Sequence, residues 1–264
     1  MNAAGPESVL ITGASSGIGL ELARRFASDG SRLILVARNT SALEKLAGEL
    51  RRDCKIEAIV LTADLSQPET PKAIFSELKG RGIVVDVLVN NAGFGAHGLF
   101  SELPLERQLE MIQVNVTALT KLTGLFLPGM VERQRGGVLN VASVAGFVPG
   151  PGMAVYYATK AFVLSFSEAL AAELAGTGVN VMALCPGPTE TNFGSVAHVN
   201  FNNNARLVRV ASMTAKEVAL QGHRAFRGGR TLIVSGWKNK MLVLLTRFLP
   251  RPLIRKIAKK FNGI

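Results

Sequence analysis

Seven short runs dominated by Val, Ile and Leu recur along the chain: "SVLIT" (8–12), "RLILVA" (32–37), "IEAIVL" (56–61), "VVDVLVN" (84–90), "GVLNVA" (137–142), "NVMALC" (180–185) and "TLIVS" (231–235). Most are too short for helices and nearly continuous rather than alternating, the pattern of strands covered on both faces. Between them lie stretches such as "GLELARRFASDG", "SALEKLAGELRRD" and "PKAIFSELKG", whose apolar residues follow the helix period. Repeated strand-helix-strand order demands a parallel sheet with right-handed crossovers. The expected fold class is therefore α/β, a doubly wound parallel sheet of about seven strands in three layers.

With 264 residues, 48% of them hydrophobic, the chain can bury a large core within one domain. Two longer helical regions, 104–130 and 155–176, are expected to flank the fifth strand, with Pro128 ending the first. Residues 186–212 form the longest stretch without clear periodicity, the candidate substrate loop and lid. Cys54 and Cys185 lie in apolar settings without metal-ligand spacing, and no metal is expected. The three histidines, His97, His198 and His223, read as loop or surface residues. The N-terminus lacks a secretory pattern, and no run reaches the roughly 18 apolar residues of a spanning helix. A soluble body in the reducing cytoplasm is expected. Net charge is +11, of which eight charges fall in residues 238–264, which contain no acid. A domain over 1–236 and a basic tail over 237–264 are thus distinguished.

Residues 12–19, "TGASSGIG", join the first strand to a helix. Gly13 permits a sharp turn, Gly17 lets the main chain approach a bulky anion, and Gly19 allows close helix packing. A pyrophosphate on the helix N-terminus is the natural occupant, because free N–H groups and the helix dipole favour negative charge there. The alternative is a glycine-rich turn without ligand. The spacing resembles the TGxxxGxG fingerprint of the short-chain dehydrogenase/reductase family, and the likeness covers about residues 8–235. It implies a Rossmann-type sheet and a nicotinamide dinucleotide held by Gly13, Ser15, Ser16, Gly17, Ile18 and Gly19.

Further motifs extend the likeness. The second strand ends "LILVARNT", with no acid to bond the adenosine ribose and with Arg38 where a 2′-phosphate would lie, which implies NADP(H) over NAD(H). Ser16 stands where many NADP-using relatives carry a basic residue. "ADLS" puts Asp64 after the third strand, where the resemblance implies that it and Leu65 lie by the adenine; an Asx turn or helix cap would use the same aspartate. "NNAG" resembles the family tetrapeptide after the fourth strand, implying Asn90, Ala92 and Gly93 beside the cofactor. "PGPTET" resembles the PGxxxT element, implying Pro186, Gly187, Thr189 and Thr191 near the nicotinamide or diphosphate.

The chain has two tyrosines, Tyr156 and Tyr157. Tyr156 and Lys160 are four apart and share a helix face, whereas Tyr157 pairs with Ala161. A phenol titrates at about pH 10 in water, and a neighbouring ammonium is expected to lower that value and make Tyr156 a usable general acid/base. Ser143, thirteen residues earlier, matches the family's serine, which bonds the substrate oxygen. Asn115 falls where the family asparagine supports a proton relay through water to the lysine. The resemblance therefore implies a tetrad of Asn115, Ser143, Tyr156 and Lys160, with Tyr156 and Lys160 also touching the cofactor. On that resemblance, hydride is expected to pass between nicotinamide and a carbonyl or secondary alcohol while Tyr156 moves the proton.

Phe94, Phe100, Phe147, Met153 and Phe193 surround the expected pocket, which favours an apolar, lipid-like or steroid-like substrate; they would equally close loops against the core. In the tail, Leu253, Ile254, Ile257 and Phe261 recur at helical spacing among cations. Such a broken amphipathic segment suits an anionic membrane surface at the periphery, or else covers the protein or a subunit interface. Stacking aromatics are not interleaved with the cations, which argues against nucleic acid. A homodimer or homotetramer through the two long helices is what the resemblance implies. A non-catalytic NADP-binding sensor or scaffold is the alternative function; an epimerase or dehydratase would need a larger C-terminal domain than this tail.

Overall fold

Every residue of β1 (Ser8–Thr12) is buried, which explains why its centre, Val9–Ile11, is continuously apolar while Ser8 and Thr12 at its ends are hydrogen-bonded: helices cover both of its faces. The computed structural model describes residues 5–191 and 212–264. Within them, β1 leads to α1 (Gly17–Ser28), β2 (Arg32–Ala37), α2 (Thr40–Cys54), β3 (Ala58–Thr62), α3 (Thr70–Gly80) and β4 (Val87–Asn90). The second half contains α4 (Leu105–Ile112), α5 (Leu119–Glu132), β5 (Gly136–Val141), α6 (Ala154–Glu173), β6 (Val179–Cys185), β7 (Thr189–Glu190), β8 (Met213–Thr214), α7 (Ala215–Arg227) and β9 (Leu232–Val234). The tail forms two helices, α8 (Trp237–Thr246) and α9 (Arg251–Phe261).

Seven strands make one parallel sheet in the order β3-β2-β1-β4-β5-β6-β9, at the seven places the sequence indicated. Two-residue strands β7 and β8 pair separately, Thr189 with Met213. Val9 of β1 lies between Leu33 of β2 and Val87 of β4. The direction of winding reverses between β1 and β4, so the connections diverge there and leave a crevice beyond the strand ends. Leu22 and Phe26 of α1, Leu43 of α2 and Phe226 of α7 pack on one face of the sheet. Leu78 of α3 and Leu122, Phe126 and Met130 of α5 pack on the other.

The first long helix departs from expectation twice. Pro128 lies inside α5 and does not end it. The residue one turn earlier, whose carbonyl a proline ring crowds, is Gly124, and the core contacts of Phe126 and fully buried Met130 carry the helix past the lost hydrogen bond. A π-helical turn, Gln113–Ala118, also joins α4 to α5. The resulting helix, Leu105–Glu132, is by length and composition the one among the described residues that could cross a membrane. Here its Leu122, Phe126 and Met130 belong to the protein core.

Candidate active site

The crevice is a cavity of about 970 Å³ that begins at the glycine turn. Gly13 and Gly17 have φ of +66° and +56°, a region that side chains disfavour. A Cβ on Gly17 would approach Thr191 Cγ2 to 3.1 Å. A Cβ on Gly19 would strike the Asn91 side chain and the Gly13 carbonyl. Gly19 therefore lets α1 close on the turn itself and is not part of the cavity wall, whereas Ser15, Ser16 and Ile18 are. Ser16 is the N-cap of α1, yet its side chain makes no capping bond. The helix N-terminus is thus left for an anion, the environment a dinucleotide pyrophosphate requires.

Two residues that sequence reasoning missed hold this turn to the end of β4. The Thr12 hydroxyl donates to Val89 O at 3.2 Å and accepts from the N–H groups of Asn91 and Ala92, each at 3.0 Å. Asn91 Nδ2 donates to Thr12 O at 2.9 Å and to Gly13 O at 3.2 Å. Asn90, by contrast, turns its side chain away from the cavity. Its Nδ2 donates to Thr123 Oγ1 at 3.1 Å and Asn140 Oδ1 at 2.9 Å, in a buried polar network that continues to Ser167. The second asparagine of "NNAG", with Ala92 and Gly93, lines the cavity instead.

Arg38 follows β2, is exposed and lines the same end of the cavity. Arg24, Arg32 and Arg51 are drawn into ion pairs, while Arg38 is in none among the described residues. Asp64 and Leu65 also line the cavity. Asp64 Oδ1 accepts from Ser66 N–H at 3.0 Å, so the Asx turn is present and one carboxylate oxygen is committed to it. Pro186, Gly187, Thr189 and Thr191 complete the wall opposite α1. Residues 192–211 of the substrate loop, with Phe193 and His198, lie outside the described residues.

Ser143, Tyr156 and Lys160 meet on the cavity wall. Ser143 follows β5, where its Oγ accepts from Ala145 N–H at 3.1 Å and donates to Pro186 O at 3.4 Å. The Tyr156 hydroxyl is hydrogen-bonded to Ser143. Burial pushes the Tyr156 phenol well above the usual tyrosine range, and the bond to Ser143 only partly offsets this. The expected lowering by an adjacent ammonium is therefore not present. Lys160 Nζ stands 5.9 Å from the ring centroid of Tyr156 and donates to Val141 O at 2.8 Å. Burial lowers Lys160 itself to about 8, so at neutral pH it remains mostly an ammonium.

Asn115 sits in the π-helical turn and is buried. Its Oδ1 accepts from Phe94 N–H at 3.1 Å, and its Nδ2 donates to Phe94 O at 2.9 Å and Thr159 Oγ1 at 3.1 Å. Thr159 in turn donates to Tyr156 O at 2.7 Å, tying the start of α6 to the β4–α4 connection. A Cβ on Gly93 would lie 3.0 Å from Asn115 Oδ1 and 3.5 Å from Lys160 Nζ. Asn115 and Lys160 thus flank one glycine, though Asn115 does not line the cavity.

The far end of the cavity is apolar and includes Phe94, Phe147 and Met153. Phe100 is 62% exposed, because its backbone belongs to a turn anchored by Gln108 and its ring faces outward. The tail supplies the rest, with Leu242, Leu245, Leu249, Ile254 and Phe261 closing the cavity from outside. Asn239 of α8 packs on Gly187 and is buried. Asn262 latches the end of α9: its Oδ1 accepts from Tyr157 Oη at 3.2 Å and its Nδ2 donates to Pro151 O at 2.8 Å. His97 Nε2 bonds Asn262 O at 2.7 Å. His223 is not a surface residue: it is buried in α7, bonded to Asp29 at 2.8 Å and set edge-on to Phe26.

A doubly wound sheet, an uncapped helix behind a glycine turn and a Ser-Tyr-Lys group on one cavity define a dinucleotide-dependent oxidoreductase. The sequence model described as short chain dehydrogenase matches residues 7–200. The chain belongs to that family. A putative ketoacyl reductase of Streptomyces coelicolor is 38% identical over 199 residues, 75% of this chain and 76% of the relative. A very-long-chain 3-oxoacyl-CoA reductase of Anas platyrhynchos is 34% identical over 199 residues, 73% of this chain but only 63% of that longer relative. Among solved structures, a short-chain dehydrogenase from Sphingobium yanoikuyae in complex with NADPH has a TM-score of 0.80 and 36% identity, covering 86% of this chain and 87% of that one.

Proposed function

We propose that this enzyme is an NADP(H)-dependent reductase of apolar, lipid-like ketones or aldehydes, with Tyr156 as general acid/base. The observation that carries the proposal is the convergence of Ser143, Tyr156 and Lys160 on one wall of a cavity whose other end is the glycine turn. Gly13, Ser15, Ser16, Gly17 and Ile18 would cradle the pyrophosphate, and Arg38 would bond a 2′-phosphate as a bidentate guanidinium. The bound dinucleotide supplies the hydride, exchanged with the carbonyl carbon. Ser143 orients the carbonyl oxygen and stabilises charge developing on it. Tyr156 delivers the proton to that oxygen, and its burial keeps the phenol protonated, the state that carbonyl reduction needs. Lys160 holds a positive charge nearby, and Asn115 positions α6 through Thr159.

The apolar far end supports the substrate class, and so do relatives named for the reduction of ketoacyl groups. Outward-facing Leu105, Leu109 and Ile112 on α4 and Phe162 on α6 suit a homodimer or homotetramer. On the same reading the body works in the cytoplasm, with an anionic membrane surface as the partner of the basic tail. A panel of apolar ketones and aldehydes with NADPH, and NADH as control, tests the function. Consumption of NADPH with at least one of them is expected; silence across the panel, with NADPH bound, would favour a sensor.

A further inference from the structure

The tail helices carry two different outer faces. Along α8, Trp237, Met241 and Leu244 recur at a spacing that puts them on one side, and the stripe continues through Phe248 in the turn that follows. These four are 70%, 57%, 46% and 78% exposed, and none of them lines the cavity. The opposite side of α8 is held by the buried residues Asn239 and Val243. The stripe is therefore not the helix's core face. Across the turn, α9 gives Ile254, Ala258 and Phe261 to the cavity and leaves Arg251, Arg255, Lys256 and Lys259 exposed.

We propose that α8 and α9 together dock on an anionic lipid bilayer, the α8 stripe entering the headgroup region while the cations of α9 bind lipid phosphates and carboxylates. Charge selects this occupant. Residues 238–264 carry eight cations, and no acidic residue follows Glu217. A second copy of the chain placed symmetrically on this face would bring two such surfaces together, and like charges oppose that pairing. A lipid surface offers the complementary charge and takes up aromatic and aliphatic side chains together. Because the inner faces of the same helices wall the cavity, docking sets the apolar end of the site against the bilayer. This last step rests on the apolar-substrate reading above, whereas docking itself requires no turnover.

Trp237 is the only tryptophan in the chain, so the native protein reports its own docking. Full-length protein is titrated with phosphatidylcholine vesicles with and without phosphatidylserine, followed by tryptophan emission and by flotation, while reduction of a water-soluble ketone is measured in parallel. Docking requires a blue-shifted emission and flotation with the anionic vesicles, with partitioning roughly tenfold or more weaker onto neutral ones. Met241→Glu with Phe248→Glu should abolish flotation and leave turnover of the soluble ketone unchanged. Lys256→Glu with Lys259→Glu should remove the preference for phosphatidylserine. Unshifted emission without flotation overturns the proposal, as does a stripe variant that floats like the native protein or a native protein whose tail instead forms dimers in sedimentation. Flotation with no reduction of any member of the apolar ketone and aldehyde panel leaves docking standing and counts against the apolar-carbonyl reading, so the two failures are distinguishable.

Discussion

Replacing Lys160 by methionine should change stability in a pH-dependent way while stopping catalysis. The side chain is 6% exposed, and its amine is lowered by burial from 10.5 to about 8. A depressed amine is destabilised in the folded state wherever it is charged. Below pH 8 both folded and unfolded chains hold the proton, and the fold bears the whole difference, about 3 kcal/mol. Between pH 8 and 10.5 the unfolded chain binds more protons than the folded one, so native stability rises with pH over that window. Methionine has no such group. It also leaves Val141 O without the 2.8 Å bond from Nζ, a loss of roughly 1 to 3 kcal/mol that does not vary with pH. Urea unfolding of both proteins without added dinucleotide, at pH 7 and pH 10, isolates the effect. Burial raises the Tyr156 phenol and the Cys185 thiol far enough that both stay protonated in the native fold at pH 10, so their contributions largely cancel in the comparison even though Lys160 itself lowers the thiol. The native protein should gain about 2 to 3 kcal/mol on the variant between the two pH values. An equal stability difference at pH 7 and pH 10 would refute a buried, depressed ammonium.

Other substitutions probe the two ends of the cavity. Arg38→Ala should raise the KM for NADPH roughly 10- to 100-fold, the worth of charge-assisted hydrogen bonds, and leave that for NADH and the melting temperature unchanged; equal losses with both cofactors would contradict the assigned phosphate contact. Asn262→Ala removes the bonds to Tyr157 and Pro151, which should favour local opening of α9 by about 1 to 3 kcal/mol. Hydrogen exchange in α9 should accelerate ahead of the sheet, and unchanged protection there would show that the latch contributes nothing.

The sheet was legible because strands buried on both faces must be continuously apolar, and seven such runs stand out between helical stretches. The glycine turn was legible because only glycine tolerates those φ values and that proximity to Thr191. What escaped depends on neighbours distant in sequence. Asn90 and Asn91 are chemically identical, and a strand sends adjacent side chains to opposite sides, so the motif alone does not say which one faces the turn. Pro128 ends helices by local rules, but core packing at Phe126 and Met130 outweighs those rules here. The direction of the Tyr156 shift was misjudged because i to i+4 spacing places Lys160 on the right face without revealing burial, or the competing carbonyl of Val141. Helical spacing in the tail marked Ile254 and Phe261 as one face, yet only the folded chain brings that face over the cavity.

Proton delivery by Tyr156 is tested most directly by removing its hydroxyl alone. Tyr156→Phe keeps the ring and removes only the hydroxyl. NADPH binding, followed by fluorescence, should persist in the variant, while the rate of reduction of an apolar ketone accepted by the native enzyme falls by about 10²- to 10⁴-fold. A variant that binds NADPH and reduces the ketone at nearly the native rate would contradict the account.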